Sequence, residues 1–291
     1  RPDHTPQIAR CVARYFEDED MQIRLCYTGE TFIHRSGYQG KLQETTQIGA
    51  ELINDESSDA DGEMLTLTIE CLLESGLDEF KIDVGHAGIL KGLLDEAKLS
   101  TDEIEKLKKY IENKNSHAVS KLLENKETDD GVKEVLIRLP ELFGGIESLE
   151  FIRERVSNEK TLSSLDRLNK LYDILSSYHL MEKITFDPGM LSHYDYYTGV
   201  IFKAYTYGTG EATATGGRYD EFSKDCPAVG VVFLLDTLMD ALNSQKIPIP
   251  VKEDDLLVLY RSANREHAIS MVTDLRKSGK SVFLMRKNAD T

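Results

Sequence analysis

The chain has 291 residues, 40% of them hydrophobic and 30% charged, and its 35 lysines and arginines against 51 aspartates and glutamates leave a formal net charge of −16. That length can bury a large core in one big domain or two, and the acidic balance argues against nucleic acid, whose phosphates demand basic contacts. No apolar run reaches the roughly 18 residues of a membrane span, and Cys11, Cys26, Cys71 and Cys226 form no C-x-x-C pair, so the expectation is free thiols in a reducing cytoplasm, with no zinc ribbon and no disulfide framework.

The opening "RPDHTPQIAR" does not read as a signal peptide. Thr5-Pro6 reads instead as an N-cap followed by proline at the first helical position, with Ile8, Ala9, Val12 and Phe16 as the apolar face of the helix that follows. From Met21 to Asn54 the pattern turns to strands. "QIRLCYTG" and "LQETTQIGAELIN" alternate polar and apolar around the turn-rich "HRSGYQGK", which predicts a long antiparallel pair with a mobile loop. Helical spacing resumes over 59–75, and "EFKIDVG" reads as a short strand leading into a helix.

From about Leu90 to Leu180 the chain is charged, poor in glycine and without strand-like alternation, which predicts an all-helical insertion. Glutamates interleave Lys106, Lys108 and Lys109 there, the pattern of a solvated helix face. Strands return at "ITFDPG", "DYYTGVIFKAYTYG", "EATATGG" and "PAVGVVF", with a helix through Leu238 and Leu242. The last stretch gives strand "LLVLY", helix "REHAISMVTDLRKSG" and strand "SVFLM". The whole predicts an α+β fold: one antiparallel sheet flanked by helices over 1–247, interrupted by the insertion at about 90–180, then a partial α/β segment over 248–291.

In "SHYDYYTGVIF" strand alternation would send Asp195 and Tyr197 to one face and Tyr196 to the other. The glycines of "YGTGEATATGGRYD" lack the third glycine opening a helix that a dinucleotide loop needs, so a β-hairpin is the better reading. Gly216 and Gly217 then imply positive φ or a close approach, with Arg218 and Asp220 directed from that turn. The seven histidines form no H-x-x-x-H pair, and no metal site is expected. Gln47 and Glu51, four apart in a strand, share a face. That face is either solvated or a buried pocket, and in a pocket Glu51 would want a cationic or N–H-bearing partner such as an imidazole or ammonium group of a ligand.

Taken in order, "RPDHT", "QIGAELI", "YDYYTGVIF", "TGGRYD" and "PAVGVVF" resemble the class II synthetase core of the histidyl-tRNA synthetase family, over Arg1 to about Leu242. The resemblance implies that Asp3, Thr5, Gln47, Glu51 and Tyr197 line a histidine pocket, with Glu51 and Tyr197 holding the imidazole. It also exposes what is missing. The motif 2 arginine for the ATP α-phosphate falls at Ile33, the arginine used in activating histidine at Ser192, and the motif 3 arginine at Thr237. Position 3 is Asp where a synthetase commonly has Glu.

A guanidinium is a fixed fork of donors that Ile, Ser or Thr cannot imitate against phosphate. A kept amino-acid pocket beside dismantled chemistry is similar to the regulatory subunits of ATP phosphoribosyltransferase, non-catalytic paralogues of the synthetase. That resemblance implies association with a short-form catalytic subunit in the first step of histidine biosynthesis, feedback inhibition by L-histidine, a homodimer within a hetero-oligomer, and no cofactor, nucleic acid or membrane. The alternative is a divergent amino-acid-activating enzyme in which Arg35 or Lys41 of the hairpin loop reaches a phosphate.

Overall fold

A computed structural model describes residues 3–16, 21–32, 43–191, 196–220, 226–249 and 256–287. The chain forms two compact units, Arg1–Ile247 and Pro248–Thr291. The hairpin loop, with Ile33, Arg35, Lys41 and the whole of "HRSGYQGK", and the segment Ser192 to Asp195 lie outside the described residues.

Helix α1 (Thr5–Tyr15) starts one residue earlier than the sequence suggests, with His4 at the N-cap position. The reason lies in Thr5, whose hydroxyl is drawn away from the helix end: its Oγ1 donates to Glu51 Oε1 at 2.9 Å, and its backbone N–H donates to Asp3 Oδ1 at 3.1 Å. Strands β1 (Ile23–Phe32) and β2 (Glu44–Ile53) pair antiparallel from Ile23↔Ile53 to Phe32↔Glu44. Helix α2 (Ser58–Glu74) follows, capped by Ser57, whose side chain accepts from the Ala60 N–H.

After β3 (Phe80–His86) comes a run of helices: α3 (Ala87–Ala97), α4 (Thr101–Glu112), α5 (Ser116–Leu123), α6 (Asp130–Arg138), α7 (Glu147–Arg153) and α8 (Glu159–Ser177). Their starts carry local signals such as the Ser100/Glu103 capping box of α4 and the Asp129 cap of α6. The chain then returns to the sheet through β4 (Ile184–Phe186), β5 (Val200–Thr206), β6 (Ala214–Tyr219) and β7 (Ala228–Leu234), ending in α9 (Leu235–Ser244).

The sheet has seven strands in the order β1-β2-β7-β6-β5-β3-β4, and only β3 and β4 run parallel. Alternation gives it two distinct faces. One carries Leu52, Val229, Val231, Phe233, Phe202, Ala204, Ile82 and Val84 into the main core with Leu65, Ile69, Leu93, Leu165 and Leu168 from the helices. The other carries Glu51, Gln47, Gly230, Gly217 and Thr215, and at one end α1 packs there through Val12 against Ile23, Ile53, Tyr219 and Ala228.

On the core face a buried ion network ties α2, α8 and β6 together. Asp61, 1% exposed, receives Arg218 Nε at 2.8 Å and Arg167 Nε at 2.7 Å. The same guanidinium groups also donate to the Asp55, Glu56 and Ser57 carbonyls that lead into α2.

Two sequence expectations are corrected here. Gly216 and Gly217 lie inside β6, not in a turn, and neither has positive φ; close approach is what they provide, since a Cβ at Gly217 would sit 2.8 Å from the Tyr197 ring. Strand β5 begins only at Val200, so Tyr196 and Tyr197 precede it and do not alternate faces.

In the second unit β8 (Leu256–Tyr260) and β9 (Val282–Arg286) pair parallel, joined through α10 (Arg265–Lys277), which buries Ala268 and Val272 with Val282 of the sheet. No helix is long and apolar enough to cross a membrane among the described residues.

Candidate functional site

A transverse row across four strands sets the floor of a recess. Leu25, Glu51, Gly230 and Gly217 stand side by side on β1, β2, β7 and β6. Two residues further along lies the row Tyr27, Gly49, Val232 and Thr215. Glycine makes the arrangement possible at two points: a methyl at Gly230 would collide with Glu51 Oε2, and one at Gly49 would collide with the Tyr27 ring.

The recess is lined by Asp3, Thr5, Tyr27, Gln47, Glu51, Tyr196, Tyr197, Thr215, Tyr219 and backbone near Gly230. All five residues named from the sequence therefore meet in one place. Thr237 does not line the recess; it sits beside Asp236 at the start of α9, and the Asp236 carboxylate accepts the Thr46 N–H at 2.9 Å. No lysine or arginine is among the described lining residues. Nor, among the described residues, does any group of three or more His, Cys, Asp or Glu side chains come close enough to hold a metal ion.

Glu51 is the electrostatic centre. It is 2% exposed and each carboxylate oxygen accepts one hydroxyl, Oε1 from Thr5 at 2.9 Å and Oε2 from Tyr219 at 2.7 Å. Asp3, at the rim, accepts the Tyr196 hydroxyl through Oδ2 at 3.1 Å. The tyrosine rings brace one another, Tyr196 lying 4.8 Å from Tyr197 and 6.0 Å edge-on from Tyr219 between centroids. The free cavity left is only about 20 Å³, room for a single water molecule. As it stands the recess has no room for a ligand of amino-acid size.

Burial pushes the Glu51 carboxyl up to about 7, outweighing the two hydroxyl donors that pull it down, and the nearby Asp3 adds to the rise. The folded state thus holds this proton to a higher pH than the unfolded chain. The resulting contribution to stability is complete below an ordinary Glu value of 4.5 and is lost as pH rises to about 7. Glu51→Gln removes that dependence, so relative to the native protein the variant should gain about 3 kcal/mol between pH 4 and pH 8 in urea unfolding. Parallel pH profiles for the two proteins would contradict this placement of the charge. A positively charged or N–H-bearing group beside Glu51 would offset the same penalty.

Sequence reasoning missed Tyr219, Tyr196, Tyr27 and Thr215. For Tyr219 the signal was present in "TGGRYD": read as a strand, it puts Tyr219 on the same face as Gly217.

Fold and recess together define a class II synthetase-like domain with a small recess floored by a buried carboxylate. The histidyl-tRNA synthetase family model matches residues 1–238. Among curated relatives, the ATP phosphoribosyltransferase regulatory subunit of Acetivibrio thermocellus is 34% identical over 286 residues, covering 97% of this chain and 68% of that protein. The one from Caldanaerobacter subterraneus is 36% identical, covering 97% and 75%. A crystal structure described as an ATP phosphoribosyltransferase regulatory subunit/histidyl-tRNA synthetase from Bacillus halodurans superposes with TM-score 0.85 at 32% identity, covering 100% of this chain and 76% of that one. Histidyl-tRNA synthetase from Nostoc, at 18% identity and TM-score 0.78 over 98% of this chain and 70% of its own, shares the fold. The chain belongs to the family of ATP phosphoribosyltransferase regulatory subunits within the histidyl-tRNA synthetase-like proteins.

Proposed function

We propose that this protein is a non-catalytic regulatory subunit of ATP phosphoribosyltransferase. It associates in the cytoplasm with the short-form catalytic subunit, enables the first step of histidine biosynthesis, and takes up L-histidine in the synthetase-like recess as feedback effector. One observation carries the reading: Asp3, Thr5, Gln47, Glu51 and Tyr197 line a single recess, while the positions that need arginine for adenylation hold Ile33, Ser192 and Thr237.

Amino-acid activation develops charge on a phosphate, and losing one such contact typically costs ~3 kcal/mol or more of transition-state stabilisation. Three losses together leave no useful adenylation, whereas binding an imidazole and an ammonium group needs none of those arginines. Glu51 meets the imidazole, Asp3 the α-ammonium, and the tyrosines close over the ring. Regulation then follows by differential binding: histidine prefers one state of the assembly, with a coupling of ~1–3 kcal/mol. The cavity of about 20 Å³ supports this, since filling it requires a rearranged, ligand-bound state.

Calorimetry with L-histidine tests the site. Glu51→Ala should weaken binding about 10- to 100-fold, because a charge-assisted hydrogen bond in a buried site contributes about 1.5–3 kcal/mol. Tyr197→Phe should weaken it several-fold. Unchanged affinity in both variants would remove the effector from this recess.

A further inference from the structure

His4 is 6% exposed, and its Nε2 has no hydrogen-bond partner among the described residues. A buried polar atom left unpaired costs free energy and calls for an explanation. Its position supplies one. His4 is not itself a lining residue, but it stands between Asp3 and Thr5, both of which line the recess, and its ring lies 5.0 Å from that of Tyr27, which also lines it. Beneath the imidazole is Gly29, where a Cβ would approach Cε1 to 2.9 Å and Nε2 to 3.1 Å. Gly29 is the cross-strand partner of Gln47, another lining residue, so the His4 ring edge rests on the same sheet face, next to the Gln47 end of the recess.

An amino-acid zwitterion brings three polar groups into such a recess. Two of them, an imidazole and an ammonium, suit the carboxylates of Glu51 and Asp3. The third is a carboxylate, and no lysine or arginine lines the described recess to receive it. We propose that His4 binds the α-carboxylate of the amino-acid ligand, its Nε2–H donating to a carboxylate oxygen beside Gln47. This rests on the reading of the recess as an amino-acid site, but not on the amino acid being histidine. It makes His4 a specificity-determining residue that separates amino acids from their decarboxylated amines.

The test uses the full chain and calorimetry with L-histidine and with histamine, which keeps the imidazole and amine and lacks the carboxylate. His4→Phe preserves the ring packing on Tyr27 and Gly29 and removes the N–H. It should weaken L-histidine about tenfold and leave histamine within twofold. Equal weakening of both ligands would make His4 a packing residue, and no change in either would leave it without a ligand role; both results overturn the proposal. In the native protein, a shift of the ¹⁵N resonance of His4 Nε2 on adding L-histidine but not histamine gives the same answer should the variant fold poorly, and equal shifts count against it. A thermal-shift screen of the other protein amino acids separates the two readings. If a different amino acid binds, histidine as effector falls and His4 is tested with that amino acid and its amine. If none binds, both readings fall.

Discussion

Replacing Asp61 by alanine is expected to cost about 3–5 kcal/mol, the effect of breaking a buried ion pair by removing one partner. Asp61 is 1% exposed and receives two guanidinium groups, of which that of Arg218 is itself only 5% exposed. Without the carboxylate, Arg218 keeps the Asp55 and Ser57 carbonyls and a 3.3 Å contact with the half-exposed Asp220. Two carbonyl dipoles and one long contact to a solvent-screened carboxylate compensate a buried cation only in part. The burial of Asp61 also holds its carboxyl above the ordinary aspartate range despite both arginines, so desolvation weighs heavily on this carboxylate. Arg167→Ala should be milder, because that side chain is 22% exposed and Arg218 still serves Asp61. Thermal unfolding should place Asp61→Ala roughly 10 °C below the native protein. A loss below about 1 kcal/mol, the scale of a surface pair, would mean that the network is solvated in solution.

That network also bears on the site. Arg218 stands between Gly217 and Tyr219 on β6, pointing to the opposite face of the sheet. Fixing Arg218 on Asp61 therefore fixes the strand that places Tyr219 on Glu51. The ion pairs thus brace the recess from behind, opposite the stack of tyrosines.

Much of this was legible in the sequence where a short-range period governed the outcome. Alternation along "IRLCYTGETF" and "ETTQIGAELI" announced β1 and β2, and the helical block from α3 to α8 announced itself by unbroken helical spacing and charge. The five residues Asp3, Thr5, Gln47, Glu51 and Tyr197 came from motif order, and their meeting in one recess depends on strand register that no local pattern encodes. Glu51 opposite Gly230 is a pairing across 179 positions of chain. Tyr196 shows the opposite failure. Read as part of a strand, it should face away from Tyr197; because β5 starts at Val200, both tyrosines reach the recess. His4 gave no signal at all, since an unpaired nitrogen is visible only once its surroundings are in place.

The largest expected effect follows from the proposed regulatory role. The resemblance to the synthetase family puts Ile33, Ser192 and Thr237 where adenylation would use arginine, and the described recess is lined by carboxylates and hydroxyls with no lysine or arginine. Histidine-dependent exchange of pyrophosphate into ATP should accordingly be absent even at high protein concentration. The most direct measurement is phosphoribosyl transfer to ATP by the cognate short-form catalytic subunit, with and without this protein, followed by titration with L-histidine. The predicted result is activity that rises at least ~10-fold on addition of the protein and is then suppressed by histidine, a difference of about 1.4 kcal/mol or more in the coupled assembly. Activity that is indifferent to the full-length, folded protein and to histidine would contradict the assignment as a regulatory subunit.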